Sequence, residues 1–61
     1  MKLSEFLAVL HKDQQVEVLD ELAKCASGSA EYVLRYGAKS EDLDKSIKTA
    51  AAIGNTIVID L

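Results

Sequence analysis

The chain has 61 residues, of which 49% are hydrophobic and 28% charged, and its formal net charge is −3. This composition predicts one globular domain and excludes a disordered tail, and the negative charge disfavours indiscriminate nucleic-acid binding, which depends on neutralising phosphates. The only cysteine, Cys25, and the only histidine, His11, exclude an internal disulfide and a zinc site made of these residue types. No apolar run reaches the roughly 20 residues of a membrane span, and a lone thiol favours the reducing cytoplasm.

The first half of the chain predicts two helices. Ser4 is a suitable N-cap for the first, and Asp13 is a suitable N-cap for the second, over residues 14–26. Gly28 then ends the second helix by adopting a left-handed conformation. The apolar residues at helical spacing are Leu3, Phe6, Leu7 and Leu10 in the first helix, and Val16, Leu19, Leu22, Ala23 and Ala26 in the second.

Two further helices are predicted beyond Gly28. Ser29 is a suitable N-cap for a third helix that ends at Gly37, with Tyr32, Val33 and Tyr36 as its inner apolar face. Ser40 is a suitable N-cap for a fourth helix, and the carboxylates that follow it favour a helix N-terminus. The inner face of this fourth helix carries Leu43, Ile47, Ala50 and Ala51, and Gly54-Asn55 ends it.

The last six residues, TIVIDL (56–61), have the β-branched composition of a strand. A single strand needs partners for its backbone groups. Pairing with the same strand of a second copy and packing of the isoleucines on the helices are both open. The predicted fold is therefore mainly α: one compact four-helix domain over residues 1–61, with a short C-terminal strand that could pair across a dimer.

The break between the second and third helices fits a helix-turn-helix over residues 19–38. Ala23 is the small residue that a close crossing of two helices requires, and Ser27-Gly28 forms the turn. The third helix is then a recognition helix for the major groove, over residues 29–36. The candidate DNA-binding residues are Lys24, Ser29, Ala30, Glu31, Arg35 and Lys39.

The opening MKLSEFL, the segment LAKCASGSAEYVL and a later helix with Leu43, Ile47 and Ala50 before an isoleucine-rich tail resemble small phage and prophage regulators of the Cro type. The chain is similar especially to the compact Cro-like proteins of the YdaS group. This resemblance implies a dimeric transcriptional regulator that represses by binding double-stranded operator DNA with residues 29–36.

A second hypothesis is a protein-interaction module derived from the same fold. Glu31, Leu34 and the loop GAKSED (37–42) would form an apolar and acidic contact patch for a repressor or a host protein. An enzyme is not expected, because His11 and Asp13 have no nucleophile in a recognisable frame and the chain has little room for a water-excluding pocket. No cofactor is predicted.

Overall fold

The computed structural model describes all residues, Met1–Leu61, and shows an α+β domain in which a four-stranded mixed sheet carries helices on one face. The prediction of a mainly α, four-helix domain is therefore wrong. The helical segments are α1 (Leu3–Val9), α2 (Ala30–Tyr32) with a π-helical turn directly after it (Val33–Gly37), and α3 (Ser40–Leu43). The strands are β1 (Gln15–Asp20), β2 (Ala23–Ser29), β3 (Thr49–Ile53) and β4 (Thr56–Asp60).

The sheet consists of two hairpins joined along their inner strands. Its strand order is β2-β1-β4-β3, with β1 antiparallel to β2, β4 antiparallel to β3, and β1 parallel to β4. The first hairpin turns at Glu21 and Leu22, which both have positive φ, 53° and 68°. The second turns at Gly54-Asn55, with φ of 62° at Gly54, a Gly-first turn that suits a two-residue hairpin loop.

Residues 14–26, predicted as a helix, form β1 and the first part of β2 instead. Val16 and Val18 are buried, with 2% and 0% of their surface exposed, whereas Glu17 between them is half-buried. This period of two places both valines in the core, which a helix would not do. Residues 19–38 therefore do not form two crossing helices, and Ala23 is an exposed residue at the start of a strand.

The predicted fourth helix is also wrong for most of its length. Only Ser40–Leu43 is helical, and Thr49–Ile53 forms β3, in which the alanines predicted on an inner face are exposed. The two-residue turn at Gly54-Asn55 returns the chain directly onto β4. Pairing within this hairpin outweighs the helical preference of the alanines, because local propensity is small compared with tertiary pairing.

The C-terminal strand is confirmed over Thr56–Asp60, and of the arrangements open for it, it takes pairing within its own chain and not across a dimer. β4 lies between β1 and β3, so both of its edges already have partners within the chain. Ile59 is fully buried and lies opposite Val18 of β1 and Ala50 of β3. The last strand along the chain is thus an inner strand of the sheet.

The first and third predicted helices are confirmed as helical segments, with changes at their ends and faces. The backbone N–H of Lys2 donates to Glu5 Oε1 at 2.8 Å at the start of α1. Ser29 caps α2 as predicted, because its Oγ accepts from the backbone N–H of Tyr32 at 3.1 Å. Tyr32 and Tyr36, however, are 51% and 76% exposed, so the prediction that they face the core is wrong.

The core lies between the helices and one face of the sheet. It is small, as expected for a chain of this length. Its nine buried apolar residues are Leu3, Leu7, Val16, Val18, Ala26, Ala30, Val33, Ile59 and Leu61.

α3 is fixed to the sheet by charge. The ammonium group of Lys45 donates to the carboxylate of Asp20 at the end of β1 and lies 3.1 Å from Asp42 Oδ1 in α3. These hydrogen bonds, to Asp20 first and then to Asp42, raise the pKa of Lys45. Asp42 is buried, and this ion pair compensates its charge.

Candidate interaction surface

Four of the six predicted DNA contacts lie at the start of α2 or in the π turn. Glu31 and Arg35 are exposed, so their side chains are free to contact a partner. Ser29 uses its hydroxyl to cap α2. Ala30 is 1% exposed and belongs to the core, so its side chain cannot read a base.

The other two predicted contacts lie on different elements. Lys24 is on β2, and its Nζ lies 3.9 Å from Glu17 Oε2 across the β1–β2 pair. Lys39 precedes α3 and is exposed. The six residues thus come from three parts of the fold, and the arrangement that a helix-turn-helix would have given them is absent.

Two tyrosines form an exposed aromatic pair on the helical side. The ring centroids of Tyr32 and Tyr36 are 6.0 Å apart, with the ring planes tilted by 45°. The Tyr32 ring rests against Gly28 and Gly37, where an added Cβ would lie 3.0 and 3.1 Å from it. Gly28, at a φ of 136°, therefore leaves both the space and the backbone freedom that this packing needs.

The most unusual surface of the molecule is β3. All five of its residues are exposed, and one side of the strand has no partner because β3 is at the edge of the sheet. The strand, TAAAI, carries no charge and no proline. Exposed strand edges are sites where another strand can pair, and proteins usually protect them.

The opposite edge of the sheet, β2, is protected in ways that β3 is not. The register of β2 against β1 shifts between Val18 and Leu19, a bulge that interrupts the regular edge. Lys24 places a charge on β2, and Gly28 has a φ of 136° that departs from extended geometry. The two edges of the sheet therefore differ in protection, and only the β3 edge is regular and open to pairing with another strand.

The hydrogen-bonding groups of β3 point in alternating directions. Ile53 and Thr56 flank a two-residue turn, so they form a hydrogen-bonded pair, and by alternation Ala51 also directs its backbone groups towards β4. Ala50 and Ala52 therefore direct their N–H and C=O groups away from β4, towards solvent. These two residues supply the donors and acceptors that an added strand would use.

The sheet face without helices, here called the open face, extends this edge. Strand alternation places Ala51, Ile53 and Val58 on the open face, and Ile53 is 66% exposed. The β1–β2 half of the same face carries the Glu17–Lys24 pair instead. The edge and the adjoining part of the open face together form a small surface, which we call the β3 surface (Thr49–Ile53 with Val58). It is bordered by the carboxylate of Asp60, which accepts a hydrogen bond from the Thr49 hydroxyl at 3.0 Å.

Sequence reasoning missed the β3 surface because residues 49–53 were placed in a helix. The sequence contains one signal for it: Gly-Asn directly before a β-branched run, which is typical of a two-residue hairpin turn.

Other surfaces have less definite chemistry. The largest groove, about 290 Å³, lies at the end of the sheet where β3 begins, lined by Glu21, Leu22, Lys48, Thr49, Asp60 and Leu61. No three side chains of His, Cys, Asp or Glu are grouped closely enough to hold a metal ion. The helices all fall short of the length and apolar character that spanning a membrane requires. Comparison with protein-family models, with curated proteins and with solved structures finds no match to this chain.

Proposed function

We propose that this chain is a protein-interaction module that binds a partner by strand addition at β3. The observation that carries the proposal is the exposure of all five residues of an uncharged edge strand, in a sheet whose other edge is protected. In strand addition, main-chain hydrogen bonds supply affinity and the side chains beside them supply specificity. Ala50 and Ala52 would provide the hydrogen bonds, and Ile53 would provide the apolar contact.

A proline at position 52 tests the proposal with little damage to the fold. The N–H of Ala52 points to solvent, so Ala52→Pro removes an edge donor while leaving the β3–β4 hydrogen bonds in place. The matched control is Ala52→Ser, which has a similar size and keeps the N–H. Circular dichroism and the melting temperature of both variants would confirm that they are folded.

The readout is binding in the cells from which the sequence comes, with each variant tagged and recovered. We expect wild type and Ala52→Ser to recover the same bound protein, either a second copy or another chain, and folded Ala52→Pro to lose it. Amide exchange should slow at Ala50 and Ala52 in the recovered complex. Equal recovery by folded Ala52→Pro would contradict strand addition.

DNA binding through residues 29–36 stays a prediction, and so does a role as a transcriptional regulator. It is supported by one feature, the exposed Arg35 and Glu31 on a surface helix with a serine cap. It lacks the first helix that would orient this segment in a groove, and the net charge of −3 opposes phosphate binding. An electrophoretic shift at low salt tests it: Arg35→Ala should weaken the shift more than Lys2→Ala, and the absence of any shift would reject it.

We also propose a cytoplasmic location for the chain, which its single free thiol favours. A repressor or a host protein, suggested by the sequence as a partner, is one class of chain that could supply the added strand. The acidic patch of Glu31, Leu34 and the loop 37–42 would then lie outside the contact.

A further inference from the structure

We propose that the strand which β3 accepts is β3 of a second copy of this chain, so that the two four-stranded sheets become one sheet of eight strands. The inference rests on the function proposed above and names the partner. It concerns β3 alone, because β4 has both edges occupied within the chain and β2 carries a bulge.

The directions of the backbone groups limit the register to those that pair Ala50 and Ala52 with each other or with themselves. An antiparallel pair related by a two-fold axis at Ala51 places Ala50 opposite the partner's Ala52, and the reverse. Because Ala50 and Ala52 are the residues whose N–H and C=O groups point away from β4, each of these pairs exchanges both of its hydrogen bonds. A shift by one residue would oppose groups that point back into their own sheets.

The side chains along the strand suit this register. Ala51 meets its own copy in a non-hydrogen-bonded pair, where Cα atoms approach to about 4.5 Å and a small side chain is an advantage. Thr49 lies opposite the partner's Ile53, so the 66%-exposed isoleucine gains a β-branched neighbour with a methyl group to contact. No charge of β3 faces a like charge, because the strand has none.

The same side chains argue against a foreign peptide as the occupant. Selective strand addition depends on pockets that receive alternate side chains of the added strand. The two grooves near β3 lie at the ends of the strand, beside Thr49 and beside the Gly54-Asn55 turn. Along the middle of the edge, Ala50, Ala51 and Ala52 present only methyl groups, which distinguish poorly between foreign sequences. The edge is complementary to a second copy of itself, because a two-fold axis at Ala51 places alanine opposite alanine along the middle of the strand.

The contact is small. A pairing of two five-residue strands with the adjoining isoleucine covers less than the roughly 1,200 Å² at the low end of stable interfaces. We therefore expect a weak dimer, whose population rises as the protein concentration is raised. Because each copy carries a charge of −3, added salt should strengthen it slightly by screening the repulsion.

Cross-linking through introduced cysteines tests both the dimer and its register. The full chain carries Cys25→Ser, which removes the only natural thiol, and one cysteine at a time in β3. Ala51→Cys should form a disulfide with its own copy under mild oxidation, because a Cα separation of about 4.5 Å is within disulfide range. Ala50→Cys and Ile53→Cys should not, because their copies are offset along the strand by more than about 6 Å and lie beyond reach.

The second measurement is the mass in solution of the full chain, by sedimentation over a range of concentrations. We expect wild type and Ala52→Ser to pass from monomer to dimer, and folded Ala52→Pro to stay monomeric. Cross-linking that is equal at positions 50, 51 and 53, or a dimer that folded Ala52→Pro leaves intact, would overturn the inference.

The two proposals can fail separately. A chain that stays monomeric throughout but captures another protein, and loses it in Ala52→Pro, would overturn the pairing of two copies while supporting strand addition. A chain that stays monomeric and captures nothing would count against both.

Discussion

Val18 of β1 and Ile59 of β4 lie opposite each other on neighbouring parallel strands, and neither side chain has any exposed surface. They belong to different hairpins, which the chain forms some 40 residues apart in sequence. Because the two hairpins meet only along β1 and β4, burial of this pair joins them into one sheet. Because β4 pairs with β1 on one side, β3, which pairs with the other side of β4, lies at the edge of the sheet.

Removing part of this contact should destabilise the whole domain. We expect Val18→Ala to lower the free energy of unfolding by about 2 kcal/mol, from lost burial and the cavity left behind. Val9→Ala is the same chemical change at a side chain that is 73% exposed, and it should have little effect. Urea denaturation of both variants measures the difference, and equal stability would show that Val18 is not in the core.

The first hairpin turn carries backbone strain that a glycine should relieve. Leu22 is 90% exposed and has a φ of 68°, a conformation that costs a residue with a side chain about 1 kcal/mol. Leu22→Gly should therefore raise the free energy of unfolding by up to about 1 kcal/mol. Ala23→Gly, one residue later in β2, should lower it instead, so thermal melts of the two variants should move in opposite directions. A decrease in both would contradict the assigned turn.

Lys45 should stabilise the attachment of α3, and its effect should not depend on pH near neutrality. We expect Lys45→Ala to lower the melting temperature, because Asp42 is left buried without its partner. Asp42→Asn in the same chain should recover part of the loss. Lys39→Ala, at an exposed position, is the matched control.

The sign of the pH dependence follows from the raised pKa of Lys45. The unfolded group titrates near 10.5, and hydrogen bonds to Asp20 and then to Asp42 raise the pKa in the folded chain. The stabilisation is therefore complete below pH 10.5 and disappears only as pH rises through the folded value. The difference in melting temperature between wild type and Lys45→Ala should stay constant from about pH 6 to about pH 9. A difference that shrinks over this range would contradict the assignment.

Cys25 should be a slow nucleophile although it is exposed. Desolvation raises its pKa above the usual 9.0, and the carboxylates of Asp42 and Asp20 raise it further. The thiolate is the reactive form of a cysteine. The measured rate of alkylation near pH 8 should therefore be lower in the folded chain than in the same chain in urea. Asp42→Asn should speed the reaction of the folded chain. Equal rates in the folded and unfolded chains would contradict the raised pKa.

Local signals in the sequence were sufficient for three elements. The apolar spacing around Leu3 and Leu7 predicted α1, the hydroxyl of Ser29 marked the start of α2, and the β-branched run 56–59 predicted β4. Each of these signals lies within a few residues of the chain, so it can be read without knowing the rest of the fold.

The same approach failed where two local patterns were both possible. Residues 15–20 fit a helical spacing through Val16 and Leu19 and an alternating one through Val16 and Val18. The alanine-rich residues 49–53 favour a helix on propensity alone. At both places the choice of a strand depended on hydrogen bonds to a partner strand elsewhere in the chain.

The sequence by itself determined a single small acidic domain, the surface helix that follows Ser29 and a C-terminal strand, because composition, caps and β-branched runs act locally. Only the tertiary structure decided that β4 is an inner strand, that β3 is a free edge and that Tyr32 and Tyr36 face solvent. A strand is stable only when its backbone groups find partners, and β1 and β4, which join the two hairpins, are some 40 residues apart in sequence. The candidate interaction surface exists because β3 has a partner strand on one side only.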